Sequence, residues 1–454
     1  MAMKNIVMRA AGARLLQRGG CSNAAALRGP ARWSSSTQTG FTVSVTDDDM
    51  HDAPPPTMGD GGVTPFLGVK PADTSPALES CMVSPDAHPT WKLFRLLDED
   101  GHLVEGASMP PSVSAEEWVR MYKAMVSQQE MDTIFYGSQR QGRVSFYMTA
   151  TGEEAIHIGS AAALAFDDPV YAQYREAGVI MWRGFTKQQF ADQCFSNVRD
   201  LGKGRQMPIH VGSSEHHFHT ISSPLSTQIP QAVGAAYALK QEGRDNVAMC
   251  FFGEGAASEG DFHAALNFAG TLEVPIVFFC RNNGYAISTP THEQYRGDGI
   301  ASRAVGYGMH AIRVDGNDMA AVYAATKAAR ELAISNSCPV LIEAMTYRVG
   351  HHSTSDDSSR YRSIDEIKKW KEDVDPISRF RNYLEKEGLW SQDEDTQLRS
   401  DERLEVLKAL EAAETAGKPS LEEMFTDVFD EKPAHLVEQE EAMLAHIAKY
   451  PDKY

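Results

Sequence analysis

The 454 residues are 42% hydrophobic and 23% charged, a balance that excludes a mostly disordered or collagen-like chain and leaves room for two or three domains, or one large α/β domain with appendages. The formal charge of −19 is unevenly spread: six of the 43 cations (Lys4, Arg9, Arg14, Arg18, Arg28 and Arg32) precede the first acid, Asp47, so the remainder sets 37 cations against 62 acids, a net −25. A body of that sign is repelled by phosphate backbones and anionic membrane surfaces, which argues against nucleic acid or membrane as a main partner, and no apolar run approaches the roughly 20 residues of a bilayer span.

Residues 1–36 are rich in Arg and Ala, end in Ser34-Ser35-Ser36 and lack the continuous apolar stretch of a secretory signal. They read as a mitochondrial transit peptide of approximate length, with the matrix as destination. Residues 37–90, with Pro54-Pro55-Pro56 and Gly61-Gly62, read as an extended arm. Ser114-x-x-Glu117 can satisfy free amides of a first helical turn reciprocally, and Trp118, Met121, Tyr122 and Met125 then recur on one helix face. Thr151-x-x-Glu154 predicts a second start, leading into the Ala-rich segment 158–166. Pro230 suits a first turn, residues 233–239 continue that helix, and Gly243 ends it. The run 247–252 predicts a buried strand, 258–272 a helix and 275–280 another strand. This βαβ unit implies a parallel sheet covered by helices on both faces, with ligands at the carboxyl ends of the strands. Residues 340–343 add a strand. Beyond Ser363 the chain turns charged and helical, with Leu404, Leu407 and Leu410 on one face and a stop at Gly417 and Pro419. The expected organisation is an α/β domain over 91–365 with a helical region, 366–454, packed on it. Six scattered cysteines without a CxxC pair disfavour structural zinc and a disulfide framework.

The chemistry concentrates in two loops. Gly253-Glu254-Gly255 follows one strand of the βαβ unit and Asn282-Asn283 follows the next. The glycines let backbone amides approach a phosphate, and the intervening helix points its N-terminus at the same anion. Glu254 and Asn283 each offer a hard oxygen; at the ends of adjacent strands they can converge on one Mg²⁺ that also binds diphosphate oxygens, with Arg281 neutralising phosphate charge. His351-His352, after Gly350, form a candidate catalytic loop in which an imidazole can exchange protons near neutral pH or donate a hydrogen bond to a phosphate. His210, His216, His217 and His219 lack the carboxylate or Cys spacing of a metal site and read as a polar loop near the mouth of the site.

The paired loops resemble the thiamin-diphosphate-binding motif, which opens with Gly-Asp-Gly or Gly-Glu-Gly and closes with Asn-Asn. The likeness then widens. Gln173-Tyr-Arg-Glu-Ala-Gly178, Gly202-Lys-Gly-Arg-Gln-Met-Pro208 and the stretches 221–230, 252–260, 280–290 and 350–359 resemble the alpha-subunit family of the branched-chain 2-oxo acid dehydrogenases, from about Trp91 to the C-terminus. His351-His352-Ser353-Thr354-Ser355-Asp356-Asp357 fits that type better than the pyruvate-specific relatives.

The resemblance implies a thiamin-diphosphate-binding α/β fold and oxidative decarboxylation of branched-chain 2-oxo acids, 3-methyl-2-oxobutanoate among them, with acyl transfer to lipoyl groups of a second component. It implies Mg²⁺ on the Glu254 and Asn283 side chains and the Tyr285 carbonyl, with Tyr174, Arg175, Arg281 and His352 around the diphosphate, assisted by Gly255 and Ala256. Ser223 would contact the cofactor, and Ser222, Pro224, Thr227 and Gln228 would hold a structural K⁺; Ser226, where relatives often carry Ala, is expected not to matter to ligation. An α2β2 heterotetramer is also implied, because the glutamate that activates the aminopyrimidine comes from the beta subunit, as is a regulatory kinase, with its phosphatase, acting on Ser353 and Ser363. Rival readings are a pyruvate-type alpha subunit, a non-catalytic regulatory subunit of the same fold and a Mg²⁺-dependent phosphatase. The intact Glu254/Asn283 pair argues against the second, and the lack of another carboxylate in the Glu254 motif argues against the third.

Overall fold

The computed structural model describes residues 76–77 and 90–453. The leader expected over 1–36 lies outside them, as does the arm over 37–90 apart from Pro76, Ala77 and Thr90. In chain order the elements begin with β1 (Leu93–Phe94), α1 (Ala115–Arg140), α2 (Glu154–Ala162), β2 (Val170–Tyr171), α3 (Ala177–Trp182), α4 (Lys187–Cys194), α5 (Gln228–Glu242), β3 (Ala248–Gly253), α6 (Gly260–Leu272) and β4 (Ile276–Asn282). There follow the antiparallel ribbon β5 (Tyr285–Ala286) and β6 (Thr289–Pro290), α7 (Thr291–Gln294), β7 (His310–Asp315), α8 (Met319–Asn336), β8 (Pro339–Met345), α9 (Ile364–Asp373), α10 (Pro376–Lys386), α11 (Gln392–Thr415) and α12 (Ala434–Lys449).

Among the described residues, six strands form one parallel sheet in the order β1-β7-β8-β4-β3-β2. Its central strands are apolar on both faces. Met249, Phe251, Val277, Phe279, Val340 and Ile342 join one core cluster, with α1, α2, α8, α10 and part of α11, while Cys250, Phe252, Ile276, Phe278 and Leu341 join the other, with α5 and α6. The side-chain period of two thus feeds two helical layers from one run of sequence, as a parallel sheet covered on both sides requires. Cys250 and Cys280 are buried free thiols within it. Among the described residues, no helix is long and apolar enough to cross a membrane.

Local chemistry explains several helix ends. The Ser114 hydroxyl accepts the Glu117 amide at 3.2 Å to open α1, whose Trp118, Met121, Tyr122 and Met125 are buried. Gly243 closes α5 in the left-handed conformation. Asp318 caps α8 through the Ala321 amide and, with its other oxygen, accepts the amides of Leu96 and Leu97 at 2.6 and 2.7 Å.

Two expectations need correction. Thr151 does not cap α2: the N-cap position is Glu153, whose side chain makes no capping bond because it is turned into the site, while the Glu154 carboxylate accepts the Gly152 amide at 2.9 Å. In α11 the buried face is Val406, Ala409, Leu410 and Ala413, and Leu404 and Leu407 are exposed, because the face that meets α1 and α4 lies about a third of a turn away from the one the leucines mark.

Candidate active site

Gly253 of β3 is in register with Arg281 of β4, so the loops after these strands emerge side by side. The Glu254 amide donates to the Arg281 carbonyl at 3.2 Å. The Glu254 carboxylate is almost fully buried; one oxygen accepts the Asn283 backbone amide at 3.3 Å, and the other has no hydrogen-bond partner among the described residues. Burial pushes its pKa up to about 7. Gly284, at φ +88°, turns the chain after β4 so that Tyr285 follows Asn283 around the same corner. A Cβ on Gly255 would lie 2.6 Å from the Ala286 Cβ, so only glycine lets the β5–β6 ribbon close over this loop. The orphaned, desolvated oxygen of Glu254 and the side-chain oxygen of Asn283 in the adjacent loop are a donor set that fits a small hard cation such as Mg²⁺.

Behind the loops lies a cluster of fully buried charges. Arg281 donates from Nε to Glu176 and from Nη1 to Glu153 at 2.8 Å. Burial pulls the Arg281 pKa down, and Glu176 and Glu153 outweigh it, leaving it raised; burial pushes Glu153 up, and Arg281 and Arg175 outweigh that, leaving it lowered. Both remain ionised. Arg281, expected to meet phosphate charge, is therefore already balanced by two carboxylates, with Nη2 beside Gly253. Glu176 also accepts the Gln173 amide at 2.7 Å, and the Gln173 side chain accepts the Gly253 amide at 3.0 Å. These bonds lace the segment after β2, which carries Tyr174 and Arg175, to the glycine loop.

His352 reaches the same place from the loop after β8. Its Nδ1 is 3.3 Å from Arg175 Nη2 and 3.4 Å from Arg348 Nη1, and its ring stands nearly perpendicular to Tyr174 with centroids 6.0 Å apart. Guanidinium nitrogens only donate, so Nδ1 accepts and the proton sits on Nε2. Asp356 holds the loop by accepting the His352 amide at 2.8 Å and the Tyr361 hydroxyl at 2.6 Å. Burial, then Arg175 and Arg348, press the His352 pKa down to about 3. Of the two roles expected for this imidazole, proton exchange near neutral pH and hydrogen-bond donation, burial and the two guanidinium groups favour the second. A linkage follows. Below the ordinary value of about 6.5 the unfolded chain holds the extra proton, so stability present above that pH is lost as pH falls toward 3, by up to about 1.4 kcal/mol per unit. His352→Gln removes this component, and urea midpoints measured between pH 7 and pH 5 fall less steeply than in the wild type.

In the segment preceding α5, the Thr227 hydroxyl lies 3.2 Å from the Pro224 carbonyl and 3.4 Å from the Ser222 hydroxyl. Gln228 donates to the Phe251 carbonyl at 2.9 Å, which leaves its amide oxygen as an acceptor. Ser226, at φ +68° and fully buried, donates to the Ala256 carbonyl at 2.6 Å, so it ties this turn to the glycine loop. Ser226→Ala is expected to lower stability by about 1 kcal/mol in urea unfolding. The Ser223 hydroxyl is 2.5 Å from His210 Nε2, while His210 Nδ1 donates to the Pro208 carbonyl at 3.0 Å. The other histidines have separate partners: His216 meets Ser213, His217 stands perpendicular to Phe166, and His219 stacks on Tyr171. Among the described residues no group of three or more His, Cys, Asp or Glu could hold a metal.

Glu153 and Arg348 went unmarked in the sequence, and Glu176 and Asp356 appeared there only inside longer motifs, without a role. Glu176 lies inside a recognisable motif; Glu153 has no local signal, since its partners are 128 and 130 residues away.

The family described as Dehydrogenase E1 component matches residues 122–422. The chain is 56% identical over 362 residues to "2-oxoisovalerate dehydrogenase subunit alpha, mitochondrial" of Dictyostelium discoideum, covering 80% of this chain and 82% of that one. The protein of the same name from Homo sapiens is 56% identical over 362 residues, 80% and 81% of the two chains, and that from Caenorhabditis elegans 52% over 390 residues, 86% and 90%.

Proposed function

Since the chain belongs to the dehydrogenase E1 component family, we propose that it is the alpha subunit of the decarboxylating first component of a branched-chain 2-oxo acid dehydrogenase complex, an oxidoreductase dependent on thiamin diphosphate. The observation that carries this reading is the unpartnered, buried Glu254 oxygen beside Asn283, at the carboxyl ends of β3 and β4. Glu254, Asn283 and the Tyr285 carbonyl would hold Mg²⁺. Gly255 and Ala256 would meet the diphosphate through their backbone, Tyr174, Arg175, Arg281 and His352 would surround it, and Ser223 would touch the cofactor. Ser222, Pro224, Thr227 and Gln228 would hold K⁺, with Ser226 linking that turn to the diphosphate loop.

When bound, thiamin diphosphate supplies a nucleophilic carbon for the keto carbon and an electron sink for the pair left by CO₂. The chain's own residues do the holding. Glu254 must give up its proton to ligate a metal. His352, whose Nδ1 accepts from the Arg175 and Arg348 guanidinium groups, keeps its proton on Nε2, where it can donate a hydrogen bond. Arg175, kept in place by the Thr149 carbonyl at 2.6 Å and by the His352 carbonyl at 3.1 Å, offers charge without needing to reorganise.

The substrate is 3-methyl-2-oxobutanoate and its branched-chain analogues, and the acyl group passes to a lipoyl-bearing second component. The site is completed by a beta subunit in an α2β2 heterotetramer, in the mitochondrial matrix after removal of the basic leader. Kinase and phosphatase act at Ser353 and Ser363. Co-expression with the beta chain followed by decarboxylation assays on a substrate panel tests this. The expected result is turnover dependent on thiamin diphosphate and Mg²⁺ and faster with 3-methyl-2-oxobutanoate than with pyruvate. A preference for pyruvate overturns the substrate class, and full activity of this chain alone overturns the need for the beta subunit.

A further inference from the structure

The side chain of Glu153 stands at the N-cap position of α2 yet caps nothing. It is fully buried, and both of its oxygens are directed at the site: Oε1 accepts from Asn283 Nδ2 at 2.9 Å, and Oε2 accepts from Arg281 Nη1 at 2.8 Å, with Arg175 Nε 3.9 Å from Oε1. An asparagine amide has two ends of nearly equal size and opposite chemistry. Its oxygen has lone pairs for a cation; its nitrogen has two protons and no lone pair to offer. Sterics alone do not choose between the two orientations. Glu153 does, because an ionised carboxylate only accepts, so the nitrogen must face it and Asn283 Oδ1 must face away, on the side where the Tyr285 amide reaches it at 3.3 Å.

We infer that Glu153 is a positioning residue that sets which atom of the Asn283 amide is presented to the metal. This rests on the reading of Glu254 and Asn283 as metal ligands. Glu153 needs no contact with metal or substrate to act. A second role, as counter-ion to Arg281 and Arg175, is visible in the same distances, and the test has to separate the two.

The separation uses an isosteric exchange. In Glu153→Gln the new amide can donate to Asn283 Oδ1, turning Asn283 Nδ2 toward the metal. In Glu153→Gln/Asn283→Asp the hydrogen bond is reversed: the introduced glutamine donates, the introduced aspartate accepts with one oxygen and keeps the other for the metal, and the net charge of the pair is unchanged. The readout is Mn²⁺ affinity, followed by electron paramagnetic resonance on the chain assembled with its beta subunit, with thiamin diphosphate saturating.

Glu153→Gln is expected to weaken Mn²⁺ binding by about ten- to a hundredfold, the usual effect of losing the group that orients a ligand, and the double variant is expected to recover most of that loss. Wild-type affinity in Glu153→Gln overturns the inference. So does a double variant no better than the single one, which would leave only the counter-ion role. If Glu153→Gln does not assemble, the double variant decides alone: Mn²⁺ bound within about tenfold of wild type supports the inference, and no binding overturns it. Wild-type assembly that binds no Mn²⁺, or a Glu254→Gln protein that binds it normally, would instead overturn the underlying assignment of the metal loop.

Discussion

In a Glu254→Gln protein assembled with its beta subunit, decarboxylation falls by roughly three orders of magnitude while the metal-free protein becomes more stable at pH 8. The activity loss corresponds to about 4 kcal/mol, the scale on which a bound cation stabilises developing charge. The stability gain has the opposite sign for a physical reason. Burial lifts the Glu254 pKa to about 7, above its unfolded value, so the stability this group contributes is fully present at low pH and is lost as pH rises through 7. At pH 8 the metal-free wild type carries an ionised carboxylate with one unpartnered buried oxygen; glutamine has the same shape and no charge to desolvate. The gain is on the order of 1–3 kcal/mol at pH 8 and vanishes near pH 4, where the native carboxyl is itself neutral. Thermal melts of the metal-free proteins at the two pH values, beside the activity assay, check it. A variant less stable than wild type at pH 8 would mean that the loop needs the charge to fold.

The second large effect concerns two serines ten positions apart. Ser353 is 8% exposed. Its hydroxyl accepts the Ser355 amide at 3.2 Å, and its neighbour Thr354 is pinned to Tyr147 by an amide-to-carbonyl bond of 3.0 Å. Asp356, three residues on, holds both His352 and Tyr361. A phosphate here adds nearly two negative charges where there is no room for it, close to an existing carboxylate and to the imidazole that lies against Arg175 and Arg348. Ser353→Glu, or phosphorylation, is expected to reduce activity about a hundredfold, since it removes the donor and frees the arginines that position it. Limited proteolysis should then cut within residues 351–361. Ser363 is exposed and caps α9, accepting the Glu366 amide at 3.1 Å. Negative charge at a helix N-terminus is favourable, so Ser363→Glu should change activity by less than about twofold. Equal inhibition by the two substitutions would refute the distinction.

What could be read from the sequence was whatever is encoded locally. The serine cap of α1, the glycine stop of α5 and the two-sided apolar runs of β3 and β4 depend on residues within a few positions of one another, and the structure has them where the patterns indicated. The paired loops were legible because each follows a strand directly, so register in a parallel sheet brings Glu254 and Asn283 together. The charges behind them were not. Arg281 finds Glu176 and Glu153 across 105 and 128 residues, and no periodicity reports a partner at that range. Thr151-x-x-Glu154 misled for a related reason: the pattern suited a cap, but the neighbouring Glu153 has stronger partners in the site. His352 looked like a titrating group because its type is poised near neutrality, and only the fold shows the burial, and then the two arginines, that lower its pKa.

The Asp318 clamp on Leu96 and Leu97 bears on the order in which the molecule assembles. Its partners are 222 and 221 residues apart in the chain, and β1 pairs with β7 over a similar span. Arg379 then adds a bond to the Leu97 carbonyl, 282 residues downstream. The earliest described strand is therefore among the last to dock: while the chain is being made, residues 93–97 have no sheet edge to join until β7 and α8 have emerged and folded against β8. Closing so long a loop is slow compared with forming helices, and until it closes the outer edge of β7 stays unpaired. A chain truncated before residue 310 would keep the β3–α6–β4 unit yet leave its own N-terminal segment without the β7 edge and the Asp318 clamp that hold it.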